Sequence, residues 1–392
     1  MLDVARHFFP KEEVKRHLDV MFRLRLNTFH WHIADDQGFR IALSRYPKLE
    51  EVASRRAYSA IGGFAGAKGN DGKPQSGCYS EADVREITAY AAARGIEVIP
   101  ELDMPGHSSA IIAAYPELSC DGKAIEVPGT FGILDNIICI GNDAALEFMT
   151  GIVHDICDLT GAKQFHIGFD EVKLDHLKTC PRCRAKMKAL GLTKVEELKA
   201  YAKDYFRDGL KKRGVEVIVY NDGMDRADTG VVCYYWLPIG KHRKNIISWV
   251  NQRQKVIIAP TTHLYTDYPY AWTSLKKTFS LNPVLPGIEK TENIIGVEAP
   301  VWTEYIEDHE RLAFNTYYRM AALAEIGWHG RGESYADFMR NLRAREEYYF
   351  DERLDIPERV LNPGPLTRLH LAKQCMVNDM SYEFKQYKGI KT

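Results

Sequence analysis

Short runs of β-branched and aromatic residues alternate along this chain with longer segments whose apolar residues recur at helical spacing. Val14, Leu18, Met21 and Phe22, for example, fall on one face of a helix predicted over residues 11–26. The runs predicted as strands are residues 1–6, 27–33, 96–102, 164–168, 215–220, 231–236, 256–259 and 294–301. Eight strands separated mostly by helices favour a (β/α)8 TIM barrel, an α/β fold, over an open doubly wound sheet.

The predicted organisation is a catalytic barrel over residues 1–333, with long loops after its strands, and a short C-terminal helical extension over residues 334–392 that packs on it. Ser80, with Asp83 three residues later, predicts the start of a helix. The glycine-rich residues 62–77 are predicted to form a loop. The first predicted strand begins at the start of the sequence, which leaves open that upstream residues are missing.

Charge and hydropathy narrow the range of partners. Lys plus Arg total 52 against 53 for Asp plus Glu, so the net charge of −1 gives no reason to expect nucleic acid or an anionic membrane surface. No stretch of about eighteen apolar residues occurs, so no transmembrane helix is predicted, and the first residues do not resemble a signal peptide. A complete chain is therefore expected in the cytoplasm, whereas a truncated one has no predicted location. The oligomeric state is not predicted.

Polar and aromatic residues follow nearly every predicted strand. Because the reacting groups of such barrels lie at the carboxyl ends of the strands, these residues are expected to share one site. The candidate residues are Arg6, Asp35, His107, His166, Asp170, Glu171, Tyr220, Trp236, Tyr265, Asp267, Trp302 and Glu304. Sugars pack their C–H faces on aromatic rings, and their hydroxyls need fixed charged acceptors, so this mixture predicts a carbohydrate substrate. Neither a cofactor nor a catalytic metal is predicted.

Asp170 and Glu171 are the strongest single signal. Neighbouring residues of a strand point to opposite faces, so both carboxyls reach the barrel mouth only if the strand ends and turns there. In that case repulsion and partial burial raise at least one pKa and leave a protonated acid beside an ionised partner. The alternative is a pair of surface acids after a strand. His166, inside the strand, is equally open to being a hydrogen-bonded interior histidine.

Five ordered motifs resemble the family 20 glycoside hydrolases, the β-N-acetylhexosaminidases. They are DVARHF at residues 3–8, HWHIADDQGFR at 30–40, PGHSSA at 105–110, HIGFDEV at 166–172 and WTE at 302–304. The resemblance extends in the same order from residue 3 to about residue 330. It implies an exo-acting, retaining enzyme that removes terminal β-linked N-acetylglucosamine or N-acetylgalactosamine from glycans. In this family the acetamido group of the substrate replaces the protein nucleophile, and an oxazolinium intermediate forms.

The resemblance also implies a role for each candidate residue. Glu171 would be the general acid and base, and Asp170 would hold the acetamido N–H. The implied substrate contacts are Tyr265 to the acetamido oxygen, Arg6, Glu304 and Asp267 to the sugar hydroxyls, and Trp236, Trp302 and Tyr220 to the acetamido group and sugar face. Asp35, His107 and His166 would support the catalytic pair. The choice between the two sugars, the linkage and any disaccharide-releasing or sulfated-sugar specificity are not predicted.

Three departures from the family pattern bear on this interpretation. Tyr220 stands where many relatives have tryptophan, which puts one wall of the acetamido pocket in doubt. Phe169 stands where glycine is common and places a bulky ring before the catalytic pair. Most relatives also have a small α+β domain before the barrel, and none is predicted in this sequence.

Two other functions were weighed against this one. A catalytically silent sugar-binding barrel is the first, favoured if Phe169 or Tyr220 distorts the pocket. A metal-dependent amidohydrolase is the second, because His30 and His32 have the H-x-H spacing of an early-strand metal site. That fold needs further histidines after the fifth and sixth strands, where this sequence has tyrosine, asparagine and tryptophan.

The eight cysteines are too thinly spread to predict a disulfide scaffold. Cys180 and Cys183 form a single C-x-x-C, which supplies two of the four ligands of a structural zinc. His176 is the candidate for a third ligand. Free thiols in a loop are the preferred interpretation, and zinc is the alternative.

Overall fold

The computed structural model describes residues 1–330 and 332–391, with side chains placed through residue 389. The parallel strands of its central sheet are β1 (Leu2–Asp3), β2 (Thr28–Asp35), β3 (Glu97–Met104), β4 (Gln164–Gly168), β5 (Glu216–Tyr220), β6 (Val231–Tyr235), β7 (Val256–Ile258) and β8 (Ile294–Val297). Each strand pairs in parallel with the next in chain order. The barrel closes where Leu2 pairs with Val301, with Asp3 N donating to Val301 O at 3.1 Å. The predicted (β/α)8 barrel is confirmed.

Helices connect the strands and continue beyond the barrel. They are α1 (Lys11–Arg23), α2 (Glu81–Ala92), α3 (Ser109–Ala114), α4 (Asp143–Thr160), α5 (Asp175–Thr179), α6 (Pro181–Leu190), α7 (Val195–Lys212), α8 (Lys241–Asn251), α9 (Leu275–Phe279), α10 (His309–His329), α11 (Tyr335–Ala344), α12 (Glu346–Phe350), α13 (Glu358–Leu361), α14 (Pro365–Val377) and α15 (Tyr382–Lys391). The predicted start of α2 is present as a capping box, in which Ser80 accepts from Asp83 N and the Asp83 carboxylate accepts from Ser80 N. In the described part of the chain, no helix combines the length and apolar character needed to cross a membrane.

The apolar residues form two layers, because buried parallel strands present side chains to both faces. The larger cluster lies between the strands and the surrounding helices. A smaller cluster fills the barrel interior and includes Ile99, Ile218, Val232 and Tyr234, with Trp236 and Trp302 packed on it. The interior is therefore a packed core that supports the residues at the barrel mouth.

The loop predicted over residues 62–77 contains strand structure. Ala60–Gly63 pairs antiparallel with Gly66–Asn70, and Gln75–Ser76 pairs with Arg55–Arg56. The hairpin docks on the C-terminal segment, where Phe64 N donates to Cys375 O at 3.1 Å. Gly63 permits this contact, because a Cβ there would lie 2.4 Å from a backbone oxygen of α14. Glycine is needed here for close backbone packing. A glycine-rich segment is equally typical of a turn, so composition alone does not separate the two cases.

The C-terminal helices contact the barrel through α10 and the loop after β7. Tyr318 Oη donates to Glu346 Oε1 at 2.6 Å, and the Phe314 and Tyr387 rings stack with their centroids 4.7 Å apart. Glu383 accepts from the backbone N–H groups of Tyr270 and Ala271. The division of the chain after residue 333 stays a prediction.

Candidate active site

The candidate residues, His166 excepted, lie at or after the carboxyl ends of the barrel strands. The candidate pair, Asp170 and Glu171, is placed by a sharp turn after β4, where Gly168, Phe169 and Glu171 have φ angles of +70°, +70° and +51°. Left-handed backbone at two non-glycine residues is uncommon and strained. It breaks the alternation of the strand, and Asp170 and Glu171 consequently both lie against the same groups at the barrel mouth.

The ring of Phe169 points away from the mouth. It is fully buried in the layer between strands and helices, and its centroid lies 6.4 Å from that of Phe206 on α7. Gly223 makes room for it, since a Cβ at that position would lie 2.7 Å from Phe169 O. The bulky ring expected before the candidate pair therefore packs outside the candidate site, and only its backbone conformation affects the pair.

Asp170 is held among other carboxyls. Burial, and after it the negative charges of Asp222 and Glu171, raise the pKa of Asp170 to about 7. Burial and Asp170 raise the pKa of Asp103 well above its usual range, so Asp103 keeps a proton and hydrogen-bonds to Asp170. Asp170 Oδ1 is buried without a hydrogen-bond partner among the described residues. An N–H donor brought by a ligand would satisfy this oxygen.

Glu171 ends a chain of polar contacts. His107 Nε2 lies 3.6 Å from Glu171 Oε2, and His107 Nδ1 lies 3.2 Å from Asp35 Oδ1. Burial alone lowers the pKa of His107, but the Asp35, Asp36 and Glu171 carboxylates raise it well above its usual value. Glu171 N also donates to Asp222 Oδ2 at 2.8 Å. These contacts position the half-buried Glu171 carboxyl at the opening of the site.

Arg6 is fixed by three acceptors. Its guanidinium contacts Asp35 Oδ2 at 2.7 Å and Asp3 Oδ2 at 3.2 Å, and its Nε donates to Gln37 Oε1 at 3.0 Å. The guanidinium carbon lies 4.9 Å from the centroid of the Trp302 ring. A guanidinium carries five N–H donors, so about two remain for a ligand. Arg6 is thus rigid and still has donors to offer.

Aromatic rings surround the open side of the pair. The Trp236 and Tyr265 rings stack with their centroids 6.3 Å apart, and Tyr265 lies at the same centroid distance from Trp302. Trp236 Nε1 donates to Asp222 Oδ1 at 2.8 Å, which ties this wall to the residue that also holds Glu171 N. Burial raises the pKa of Tyr265 well above its usual value, so its hydroxyl stays a donor.

Asp267 and Glu304 form a second acidic pair, in which the charge of Glu304 acts on Asp267. Burial and the charge of Glu304 raise the pKa of Asp267 well above its usual range. Burial also raises the pKa of Glu304, against the opposing effect of Arg6. Asp267 Oδ1 is buried without a hydrogen-bond partner among the described residues. Hydroxyl groups of a ligand would supply the hydrogen bonds that these buried carboxyl oxygens need.

His166 and Tyr220 lie beneath the mouth, inside the barrel. His166 is fully buried, with Nδ1 3.1 Å from Glu101 Oε1, and its ring centroid lies 4.2 Å from that of Tyr220. His166 is therefore a hydrogen-bonded interior histidine, as the alternative interpretation predicted. Tyr220 packs its ring 6.4 Å from that of Trp236, centroid to centroid, and its hydroxyl has no hydrogen-bond partner among the described residues.

The H-x-H pair contacts carboxylates inside the barrel. His30 Nε2 and His32 Nδ1 lie 3.0 and 2.5 Å from Glu101 Oε2. The positions that the amidohydrolase interpretation needs as histidines are Tyr220 and Tyr235, at the ends of β5 and β6. This alternative therefore lacks its remaining ligands.

Three residues without a predicted role lie against the candidate pair or against the aromatic rings around it. Asp103 and Asp222 contact Asp170 and Glu171 as described, and Tyr268 lies 5.6 Å from Tyr265 between ring centroids. Asp103 lies at the carboxyl end of β3, and Asp222 and Tyr268 follow β5 and β7, which was the available signal. Their contacts join different strands, so position in the sequence alone did not reveal them.

Comparison with known proteins identifies relatives over most of the chain. The model of "Glycosyl hydrolase family 20, catalytic domain" matches residues 1–331. A β-hexosaminidase of Porphyromonas gingivalis is 32% identical over 358 residues, which cover 87% of this chain and 44% of that protein. A crystal structure of a β-N-acetylhexosaminidase is 31% identical with a TM-score of 0.81, covering 93% of this chain and 79% of that chain. The Vibrio harveyi exo-β-N-acetylglucosaminidase, solved with N-acetylglucosamine, is 27% identical with a TM-score of 0.76, covering 90% and 57%. The chain thus spans less than half of the Porphyromonas protein.

Proposed function

The chain belongs to glycosyl hydrolase family 20, and from this premise we propose that it is an exo-acting, retaining β-N-acetylhexosaminidase. Its substrate is a glycan or glycoconjugate that ends in β-linked N-acetylglucosamine or N-acetylgalactosamine. The observation that carries the proposal is the turn after β4, which holds Asp170 and Glu171 side by side at the barrel mouth, next to Trp236, Tyr265 and Trp302.

Glu171 acts as the general acid and then as the general base. It protonates the leaving glycosidic oxygen, and in the second half of the reaction it takes a proton from the attacking water. The side chain is half-buried, so it reaches a bond at the edge of the site while its backbone N–H is fixed by Asp222. His107, held by Asp35, positions the carboxyl.

Asp170 acts on the acetamido group of the substrate. As an anion it accepts the N–H of that group, orients the carbonyl oxygen toward C1 and stabilises the positive charge of the oxazolinium intermediate. The hydroxyl of Tyr265 donates to the same carbonyl oxygen. An oriented intramolecular nucleophile reaches effective molarities of about 10⁵ M or more, which replaces attack by a protein side chain.

The remaining groups hold the terminal sugar. Arg6 offers its remaining N–H donors to the ring hydroxyls, and Asp267 and Glu304 offer acceptors. The rings of Trp236 and Trp302 pack against the acetamido methyl and the sugar face. Their placement around one acidic pair supports an exo mode, in which a single terminal residue is bound.

Two substitutions test the proposal. Asp170→Asn is expected to lower kcat about 10²–10³-fold on every substrate, because the oxazolinium charge loses its counter-ion. Glu171→Gln is expected to lower kcat about 10²–10⁴-fold on natural glycosides, and far less on aryl glycosides whose leaving groups need no proton. Asp175→Asn, an exposed change on the same loop, is the control for folding. Wild-type turnover by Asp170→Asn would exclude the mechanism.

A substrate panel tests the sugar and the stereochemistry. Nitrophenyl β-glycosides that differ at C2, C4 and C6 are expected to be cleaved only when C2 bears an acetamido group, and proton NMR is expected to show the β-anomer as first product. Comparable rates on plain β-glucosides, or an α-anomeric first product, would contradict the proposal. Absence of turnover on the whole panel, together with measurable binding of N-acetylglucosamine, would favour the silent sugar-binding barrel.

A further inference from the structure

Four cysteines from two separate segments of the chain meet in one group. Cys120 and Cys139 lie in the insertion after β3, and Cys180 and Cys183 lie at the start of α6. Their sulfur atoms all lie within 4.8 Å of one another, and three of the four residues are buried. The sequence pattern pointed only to Cys180 and Cys183, with His176 as a further ligand. His176 is exposed and lies outside this group.

We propose that Cys120, Cys139, Cys180 and Cys183 bind one structural zinc ion. Cys139 Sγ lies 3.7 Å from both Cys180 Sγ and Cys183 Sγ. Four sulfurs arranged tetrahedrally around zinc, with Zn–S bonds of about 2.3 Å, are separated by about 3.8 Å. A disulfide would need about 2.05 Å between sulfurs. The observed spacing therefore fits tetrahedral thiolate ligands.

The backbone around the group is arranged to bring the two loops together. Ser119 and Ile138 form an antiparallel bridge, and Cys139 N donates to Leu118 O at 2.8 Å, so the segments that carry Cys120 and Cys139 are held together. Gly141 then passes against the start of α6, where a Cβ would lie 2.4 Å from Cys183 Cα. This close approach needs glycine and holds the third and fourth ligands against the first two.

The charge of the filled site has a neighbouring counter-ion. Binding replaces four thiol protons with one Zn²⁺, releases four protons to solvent and leaves a net charge of about −2 on the group. Arg182, between the two cysteines of α6, donates to Cys120 O at 3.3 Å. The N-terminus of α6 also favours negative charge on Cys180 and Cys183. A surface groove of about 550 Å³, lined in part by Cys120 and Arg182, gives the ion a path from solvent.

A zinc ion here would join two loops that carry catalytic groups. The insertion after β3 follows His107, and the segment before α6 follows Asp170 and Glu171. The ion would limit the relative movement of these loops and so hold His107 against Glu171. This role requires no contact between zinc and substrate, and the zinc proposal does not depend on the proposed enzyme activity.

Metal analysis of the full-length chain, purified under reducing conditions without added metal, tests the proposal. We expect about one zinc per chain in the wild type and at least about a tenfold lower content in Cys120→Ser and Cys139→Ser. Cys78→Ser, half-buried like Cys120 but outside the group, and Cys157→Ser, buried like Cys139, are the matched controls and should keep the metal.

Two measurements on the unaltered chain decide the question even if the variants do not fold. Replacing zinc with Co²⁺ should give the intense thiolate-to-cobalt absorption of a four-sulfur tetrahedral site. The four cysteines should resist alkylation in the folded protein and react after a chelator removes the metal. Metal-free protein with freely reacting thiols, iron in place of zinc, or a disulfide within the group found by mass spectrometry would overturn the proposal.

Discussion

The barrel buries carboxylates at two levels, and their surroundings have opposite effects. Inside the barrel, against the effect of burial, His32, His166 and His30 hold the pKa of Glu101 well below its usual range. Against the same effect, His30, the N-terminal ammonium and Tyr234 lower the pKa of Glu298 to about 2. At the mouth, burial and neighbouring acids raise the pKa values of Asp170, Asp267 and Glu304. None of these three acids forms an ion pair within 4.0 Å with another described residue.

The carboxylates inside the barrel have partners within the protein, whereas the acids at the mouth require a ligand to supply theirs. Glu101 contacts cationic His32, whose pKa rises to about 10 because Glu101 and Asp35 outweigh the effect of burial. The acids at the mouth keep oxygen atoms without donors, and under the proposed function the acetamido N–H and the sugar hydroxyls supply them. Stability is thus concentrated in the interior and binding capacity at the mouth.

The largest effect is expected from removing the buried carboxylate of Glu101 inside the barrel. Glu101→Gln should lower the free energy of unfolding by about 3–5 kcal/mol, because it leaves buried histidine cations without their shared anion. Urea denaturation at neutral pH measures this change. Glu97→Gln, at the exposed start of the same strand, should stay within about 0.5 kcal/mol of wild type. Equal losses in the two variants would remove the basis of the comparison.

The next largest effect is expected from removing a negative charge at the mouth of the barrel. The folded-state pKa of Asp170, about 7, exceeds its unfolded value, so ionising Asp170 destabilises the fold as pH rises from about 4 through 7. Asp170→Asn should therefore raise the free energy of unfolding by about 2–4 kcal/mol at pH 8, although it lowers kcat. At pH 4 Asp170 is already protonated, and little change is expected there. The same change at both pH values would argue against a raised pKa.

A smaller effect distinguishes two buried tyrosines. Tyr234 Oη donates to Glu298 Oε1 at 2.9 Å inside the barrel, whereas Tyr220 Oη has no described partner. Tyr234→Phe should cost about 1.5–3 kcal/mol of stability, because it removes a hydrogen bond to a charged group. Tyr220→Phe should cost less than about 1 kcal/mol. Denaturation without substrate compares them, and a larger cost for Tyr220→Phe would contradict the difference between the two hydroxyls.

The smallest effect is a shift in pH dependence. The profile of kcat/KM should fall as pH drops through about 7, because Asp170 must be ionised to accept the acetamido N–H. Asp222→Asn removes a repelling charge and should move this midpoint down by about half a unit to one unit. Asp225→Asn, exposed and nearby, should leave it in place. An unmoved midpoint in Asp222→Asn would assign the acidic limb to another group.

Local signals were sufficient for much of the fold. Strand β4 lies where residues 164–168 were predicted, and the capping box of α2 forms at Ser80. Prediction was less accurate where distant contacts decide the outcome. The strand predicted over residues 1–6 is reduced to Leu2–Asp3, because after Asp3 the chain turns to place Arg6 against Asp35. The hairpin within residues 62–77 depends on docking to α14.

The order of residues along the chain was enough to predict the alternation of strands and helices and the family, because hydrophobic period and turn chemistry are properties of neighbouring residues. Tertiary structure decided the rest. The pairing of Leu2 with Val301, the contact of Asp103 with Asp170, and the joining of Cys120 and Cys139 with Cys180 and Cys183 all bring together segments that are far apart in the chain. Such contacts, and the pKa values that follow from them, depend on how the whole barrel closes.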